Sequence, residues 1–291
     1  MSEDIDTVMA ERAQLINLAY RLLGSLADAE DVVQETYARW YALRPEQRAS
    51  IAAPGGWLTR VASRICLDLL GSARVRRERY VGEWVPEPVP DHDEWGSDPA
   101  DRITLDESIS MAFLVVLESM TPAERVTFVL HDVFRYPFAE VAAIVGRTPA
   151  ACRQLAVSGR RRIDAARPAA TPAGRQADIV RAFKQAWEAK DISALVALLD
   201  AEAIATADGG GRANAVLRPI IGAEPIARYL TGFTPAGPRP TIVERTVNGF
   251  PGLIVEIDHT PVTVLAFDIA GDRIRQVWAV RNPDKLRQWT S

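Results

Sequence analysis

The chain has 291 residues, of which 48% are hydrophobic and 25% charged, and its formal net charge is −4. That length allows two or three domains, and no apolar run approaches the ~20 residues that a membrane helix needs. The acidic start "MSEDIDTVMAERA" has neither the basic flank nor the apolar centre of a secretory signal, so a cytoplasmic protein without a membrane partner is expected. The cysteines are Cys66 and Cys152, and His92, His131 and His259 are scattered without ligand spacing, so neither a metal nor another cofactor is expected.

In chain order, residues 5–80 read as helices. Leu15, Leu18, Leu22 and Leu26 recur at helical spacing, and Val32, Val33, Thr36, Tyr37 and Trp40 continue on one face of the next segment. A loop rich in Pro and Gly, "LRPEQRASIAAPGG", leads into a third helix carrying Leu58, Val61, Ile65 and Leu69. Residues 81–102 form a linker whose prolines and acidic residues argue against regular structure. Its aromatics Trp84 and Trp95 are nevertheless expected to dock. Residues 103–166 are helical again, with an apolar helix at "SISMAFLVVLESM" and a capping box at Thr121 and Glu124, Pro122 taking the first helical position. That helix should run to about Phe134. A short helix "PFAEVAAIV" and another from Pro149 follow, and then a second linker over 167–175. In 176–291 a helix-like stretch, "QADIVRAFKQAWEAKDISALVALLD", precedes the strand-like segments "TIVERTVNG", "GLIVEID", "PVTVLAFDI" and "RIRQVWAV". Two all-α domains followed by an α+β cone with a curved antiparallel sheet are therefore expected.

The net charge hides an asymmetry. Residues 60–79 carry six arginines against Asp68 and Glu78, and residues 147–167 carry six against Asp164. Two concentrated cationic stretches in an acidic chain point to two localised anion-binding surfaces. One lies in "GRTPAACRQLAVSGRRRI", where helix 138–145, a turn at Gly146–Thr148 and helix 149–163 have the proportions of a helix-turn-helix. Cys152, Leu155, Gly159 and Ile163 share an inward face of the second helix. Ala150, Arg153, Gln154, Val157 and Arg161 share the outward one, with Arg147 and Thr148 at its start. That face offers donors to base edges beside small residues that permit close approach, and the Arg160–Arg162 cluster suits phosphates. The other stretch puts Trp57, Arg60 and Arg64 on a helix with Arg74, Arg76 and Arg77 beyond, a set that suits strands whose bases have left the stack. Trp57 also reads as a core tryptophan, and the arginines as a solvated face.

These residues resemble a bacterial RNA polymerase sigma factor of the extracytoplasmic-function (ECF) group. "DAEDVVQETYARWY" is similar to the second-region helix that grips the clamp of the polymerase's largest subunit, which implies core binding by Asp28, Asp31, Gln34, Glu35, Arg39 and Trp40. "PGGWLTRVASRICLDLL" resembles the adjoining −10 element helix, and "MTPAERVTFVLHDVFRYPFAEVAAIVGRTPAACRQ" resembles the fourth region that reads the −35 element of promoter DNA. The loop at 44–56 would lie where a flipped non-template base is held. Gly71 stands where an arginine is frequent, which removes one expected phosphate contact.

The remainder resembles the subgroup with a fused C-terminal SnoaL-like domain through three short motifs. They are "WVPEP" (Trp84, Pro86, Glu87, Pro88; Val85 replaces the usual Leu), "DGGGR" (Asp208, Gly209, Gly210, Gly211, Arg212) and "NPDKL" (Asn282, Pro283, Asp284, Lys285, Leu286). The resemblance implies an attached regulator, in which "DGGGR" would contact the linker or the polymerase-facing region and "NPDKL" would hold the tail against it, with room for a small ligand in the cone. Related cones include enzymes that set a carboxylate opposite oxyanion donors. Asp208, Asp258 and His259 are the candidates here, but "DHTP" reads as a turn and Asp208 opens a glycine bend, so no catalytic constellation and no enzyme are expected. A ligand-sensing helix-turn-helix regulator would need neither the second basic stretch nor the acidic helix.

Overall fold

The structure, a computed structural model, describes residues 11–77, 80–90, 109–166, 171–232 and 240–290, and for 73–77 the backbone alone. The side chains of Arg74, Arg76 and Arg77, and all of His92 and Trp95, lie outside the described residues. Two compact units divide the chain, and the division does not follow the sequence. Among the described residues one unit holds 11–77 and 116–166, and the other holds 80–90, 109–115, 171–232 and 240–290.

The first unit is helical. Helix α1 (Arg12–Leu23) stops at Gly24, whose φ of 67° suits glycine. Ser25 then caps α2 (Leu26–Ala42) by accepting from the Asp28 amide at 3.2 Å. A short helix α3 (Pro45–Ala49) lies inside the loop rich in Pro and Gly, and α4 (Pro54–Arg77) follows. Leu15, Leu18, Val33 and Leu58 make the expected stripes into a shared interior. Trp40 completes the α2 stripe four residues after Thr36. It is 1% exposed, with its ring 5.2 Å from that of Trp57.

Helix α5 (Met111–Glu118) precedes α6 (Pro122–Phe128). The expected capping box forms: Thr121 and Glu124 exchange bonds of 2.9 and 3.3 Å. A π-helical turn, Val129–Val133, ends this segment where an unbroken helix to Phe134 was expected. Helices α7 (Phe138–Val145) and α8 (Pro149–Ala166) meet through Gly146, at φ 68°. Gly159, unfavourable inside a helix, has a packing reason, since a Cβ there would lie 3.1 Å from the Phe128 side chain.

The second unit is α+β. Helices α9 (Ala173–Glu188) and α10 (Ile192–Leu198) lead into β1 (Leu199–Asp208), β2 (Ile220–Ile221) and α11 (Ala223–Gly232). Strands β3 (Thr241–Val247), β4 (Phe250–Ile257), β5 (Thr260–Ala270) and β6 (Arg273–Val280) follow at the expected places. The sheet order is β2-β1-β6-β5-β4-β3. The expected antiparallel sheet is corrected to a mixed one: β1 runs parallel to β6, pairing Ala205 with Val277 and Asp208 with Val280. No hairpin links the parallel pair: β1 is followed by β2, which pairs antiparallel to it, and α11 with β3 to β5 separates it from β6 in the chain.

Alternation along the strands divides two apolar clusters. Leu253, Val255, Leu265 and Val277 face Phe183, Leu195 and Ile226 of the helices. On the opposite face Ile254, Val264, Trp278 and Val280 are covered by Val85, Met111, Leu286 and Trp289. The expected linker is therefore no free tether over its described part. Val85–Pro90 is irregular, as its prolines require, yet buried. Likewise residues 109–115, expected to belong with the helical domain that follows, pack with the cone.

Gly252 marks the tightest point of the sheet: a Cβ there would meet Val247 Cγ2 at 2.5 Å and the Leu265 carbonyl at 2.6 Å. Since a strand backbone cannot yield, Gly252→Ala is expected to destabilise the cone by about 1–3 kcal/mol, seen as a lower transition for this unit in scanning calorimetry.

Candidate functional site

The outward face of α8 is laid out as its helical period dictates. Cys152, Ala156 and Gly159 are buried, whereas Arg147, Thr148, Ala150, Arg153, Gln154, Arg160, Arg161 and Arg162 are exposed and Val157 is 42% exposed. Thr148 Oγ1 accepts from the Ala151 amide at 3.2 Å, which fixes the helix start. The Arg153 guanidinium sits 5.5 Å over the Phe138 ring, a stacking that limits its wandering while leaving its edge open. The three clustered arginines divide. Arg160 bonds Asp132 at 2.5 Å and Arg162 lies 3.8 Å from Glu124, whereas Arg161 has no ion pair among the described residues. Burial would raise the Glu124 carboxyl, but bonds from Ser158 and Thr121 and the charge of Arg162 hold it below the usual range.

On α2, Asp31, Gln34, Glu35 and Arg39 are exposed and Asp28 is half-buried, so the acidic face is accessible. Glu35 and Arg39 pair at 2.8 Å across one turn, an exposed contact worth little to stability. Trp40, grouped with them by resemblance, lies in the interior and cannot be a docking contact. Its apolar bulk follows the Val33–Thr36 stripe, and it acts by supporting the helix. On α4, Arg60 and Arg64 are exposed and Trp57 is half-buried against Trp40. Cys66 beneath them is buried, and burial together with the charge of Asp28 pushes its thiol far up, leaving an inert apolar side chain.

Helices of the second half pack onto those of the first within this unit. Arg125, 2% exposed, donates through Nη1 to the Leu22 carbonyl at 3.0 Å and to Glu118 Oε1 at 2.6 Å. Burial lowers its pKa to about 10, which still leaves it charged. Tyr136 Oη donates to Thr59 Oγ1 at 3.0 Å, the Arg21 guanidinium lies 5.8 Å from the Phe134 ring centre, and Arg64 Nη1 lies 3.5 Å from the Ala143 carbonyl.

In the second unit the three short motifs converge on one carboxylate. Asp208, at the end of β1, is 0% exposed. Its Oδ1 accepts from Tyr80 Oη at 2.6 Å, and its Oδ2 accepts from the Val85 amide at 2.9 Å and from Lys285 Nζ at 2.7 Å. Lys285 also donates to the Val85 carbonyl and lies 4.1 Å over the Trp84 ring. Asn282 Nδ2 donates to Tyr80 Oη at 2.9 Å, while Asn282 Oδ1 caps the short turn Pro283–Lys285. Burial, then the bond to Asp208 and its charge, push the Tyr80 phenol far up, so it remains a donor.

The glycines permit this crowding. Gly210 and Gly211 have φ of 58° and 69°; a Cβ on the first would strike Asn282, and one on the second would come within 3.1 Å of Val81. Arg212 and Asp284 pair at the exposed rim, with Arg287 on the other carboxylate oxygen. Glu87, Pro86, Pro88 and Leu286 are buried around the hub. Further along the linker, Trp289 Nε1 donates to the Pro88 carbonyl at 3.0 Å, and Asn248 exchanges bonds of 3.2 and 2.9 Å with the Val89 backbone. Tyr80, Asn248 and Trp289 were not foreseen. Of these, only the Asn248–Gly249 turn carries a recognisable sequence signal.

The remaining candidates are placed as follows. Asp258 and His259 form the exposed β4–β5 turn, with φ of 50° and 60°. The helix side of the sheet is occupied by Phe183, edge-on to Trp187 at 6.2 Å and to Phe267 at 5.3 Å. A cleft of about 370 Å³ opens on the other face, among Pro90, Arg245, Glu256, His259 and Trp289.

Removing the Asp208 carboxylate would strand the Lys285 ammonium in a buried site, at a cost of about 3–5 kcal/mol. In Asp208→Ala the Val85 and Val89 amides should therefore exchange with deuterium at least about 100-fold faster. Unchanged exchange would contradict the hub.

Family models for sigma-70 region 2 and for sigma-70 region 4 match residues 7–76 and 110–163. The chain is 35% identical to the ECF RNA polymerase sigma factor SigJ of Mycobacterium tuberculosis, over 97% of this chain and 93% of that one. It is also 35% identical to the probable ECF RNA polymerase sigma factor SigI of the same species, over 95% and 92% of the two chains. The crystal structure of M. tuberculosis SigJ superposes with a TM-score of 0.76 at 33% identity, covering 98% of each chain. With both sigma-70 regions in place and full-length likeness extending through the C-terminal cone, this chain belongs to the ECF RNA polymerase sigma factors, the alternative sigma factors that direct transcription initiation.

Proposed function

We propose that this sigma factor divides its work among three surfaces and that its C-terminal cone governs it through the linker. Region 2 (residues 1–80) docks the acidic face of α2, through Asp28, Asp31, Gln34 and Glu35 with Arg39 beside them, on the clamp of the core polymerase. The α4 face, with Trp57, Arg60 and Arg64, holds the opened −10 strand. Region 4 lays α8 in the −35 major groove, where Arg153 and Gln154 reach base edges and Arg161 grips phosphate. Nothing in this scheme requires the chain to perform covalent chemistry.

One observation carries the regulatory part: the end of region 2 contributes Tyr80, and the linker that follows contributes the Val85 amide, to a buried carboxylate of the cone. A linker so held restricts where the two regions can travel. A tethered cone acts at high effective concentration, so modest contacts suffice to select one arrangement. Release or retention of the linker then changes promoter engagement without any contact between the cone and DNA.

The division of labour predicts separable defects. Arg153→Ala is expected to weaken −35 DNA binding about 5- to 150-fold, equivalent to ~1–3 kcal/mol for a base contact, with core affinity unchanged in a fluorescence titration. Asp31→Ala should weaken core binding and leave the −35 contact of the free chain intact. Identical defects in both assays would contradict the assignment.

Gly71 offers a test by gain. It is exposed, and a Cβ there meets nothing within 4 Å. Gly71→Arg should tighten promoter binding and steepen its salt dependence by about one phosphate. An unchanged salt slope would place this end of α4 away from DNA.

A further inference from the structure

The cleft of about 370 Å³ on the linker side of the sheet takes no part in the roles assigned above, and its size suits a small metabolite. Its floor is apolar, made by the buried residues Ile254, Trp289 and Pro90. Its charges stand toward opposite ends. Strand register pairs Arg245 with Gly252 and Thr241 with Glu256, so Arg245 and Glu256 share the sheet face of Ile254. They lie four positions apart along the strands, which separates their backbones by about 13 Å. A cation at one end, a carboxylate at the other and an apolar floor between them favour an occupant with the reverse pattern.

The fourth wall is His259, and its backbone is unusual. Asp258 and His259 form a two-residue hairpin with φ of 50° and 60°. The β3–β4 hairpin solves the same problem with Asn248 and Gly249, at φ of 53° and 79°, where glycine takes the second left-handed position freely. A histidine in that position is strained, and such strain gathers at ligand clamps. Its imidazole, which offers both a donor and an acceptor, lines the cleft.

Two of the walls also hold the linker. Trp289 donates to the Pro88 carbonyl at 3.0 Å, and Pro90 follows Val89, whose amide donates to Asn248 at 3.2 Å. The cleft is therefore complete only while the linker is docked. We propose that it binds a small amphoteric metabolite, with a carboxylate and an ammonium about an apolar middle, as in a free apolar amino acid or a short apolar peptide. Arg245 takes the carboxylate, Glu256 the ammonium, and His259 a polar group between them. Because the occupant meets Pro90 and Trp289 together, it favours the docked linker by its higher affinity for that state. The consequence for transcription rests on the control through the linker proposed above; the site itself does not.

The test is calorimetric titration of the full chain with phenylalanine and with the dipeptide phenylalanyl-leucine, each beside its N-acetyl and C-amide forms. At least one unblocked probe should bind saturably below about 10 mM, and its blocked forms at least about 10-fold more weakly. The better probe tells free amino acid from peptide. Arg245→Gln should weaken the unblocked probe and leave the C-amide form unchanged. His259→Gly should weaken binding about 10-fold while keeping or raising the thermal transition, since glycine relieves the turn. No binding by either probe, equal binding of the blocked forms, or wild-type affinity in His259→Gly overturns the site. A lowered transition in that variant makes His259 structural and overturns its part. Bound probe should slow deuterium exchange at the Val89 amide several-fold, and unchanged exchange overturns the coupling. Binding and slowed exchange with unaltered run-off transcription would leave the site standing and overturn control through the linker.

Discussion

A carboxylate without water must be neutralised and hydrogen-bonded, and Asp208 is such a carboxylate. No single segment supplies its partners. The tail brings Lys285, the end of region 2 brings Tyr80, and the linker brings the Val85 amide. Strand β1 ends at Asp208, so these segments are drawn to one rim of the cone, and the apolar residues between them fall on the face that would otherwise expose Ile254, Val264 and Trp278. The linker thereby behaves as part of the cone's hydrophobic structure. An ion pair in this setting is weak evidence of net stability, but breaking it from one side is costly. That asymmetry is what gives the hub its hold on the linker.

In the first unit the corresponding constraint is helical period. An 18-residue helix with Cys152, Ala156 and Gly159 inward has to present Arg153, Gln154 and Val157 outward. The same logic leaves the α2 carboxylates in water and places Trp40 in the core. Both surfaces follow from spacing.

Long periodic elements were legible in the sequence. Helices α1, α2 and α4, the capping box at Thr121, the α8 faces and strands β3 to β6 follow from spacing and turn residues. Strand β1 was hidden because "AEAIATAD" lacks the β-branched alternation of its neighbours and continues an apolar helical run. Its parallel pairing with β6 is a tertiary choice that no local pattern encodes. Linker burial was equally hidden. Prolines exclude helix and sheet, but they do not exclude docking, and only the tryptophans Trp84 and Trp95 hinted at it. Resemblance located the three motifs; the geometry of Asp208 supplies the reason that they belong together. Trp40 carries the opposite lesson, since its own apolar stripe placed it correctly and the resemblance did not.

The measurement closest to the central claim is run-off transcription with purified core polymerase on a promoter library, comparing wild-type chain with Lys285→Met, which keeps length and apolar stem but cannot neutralise Asp208. The expected result is promoter-specific transcript that depends on the chain, with a several-fold change in yield from the same promoters in the variant and unaltered affinity for core. Equal yields from the two proteins at equal occupancy of core would contradict control through the linker.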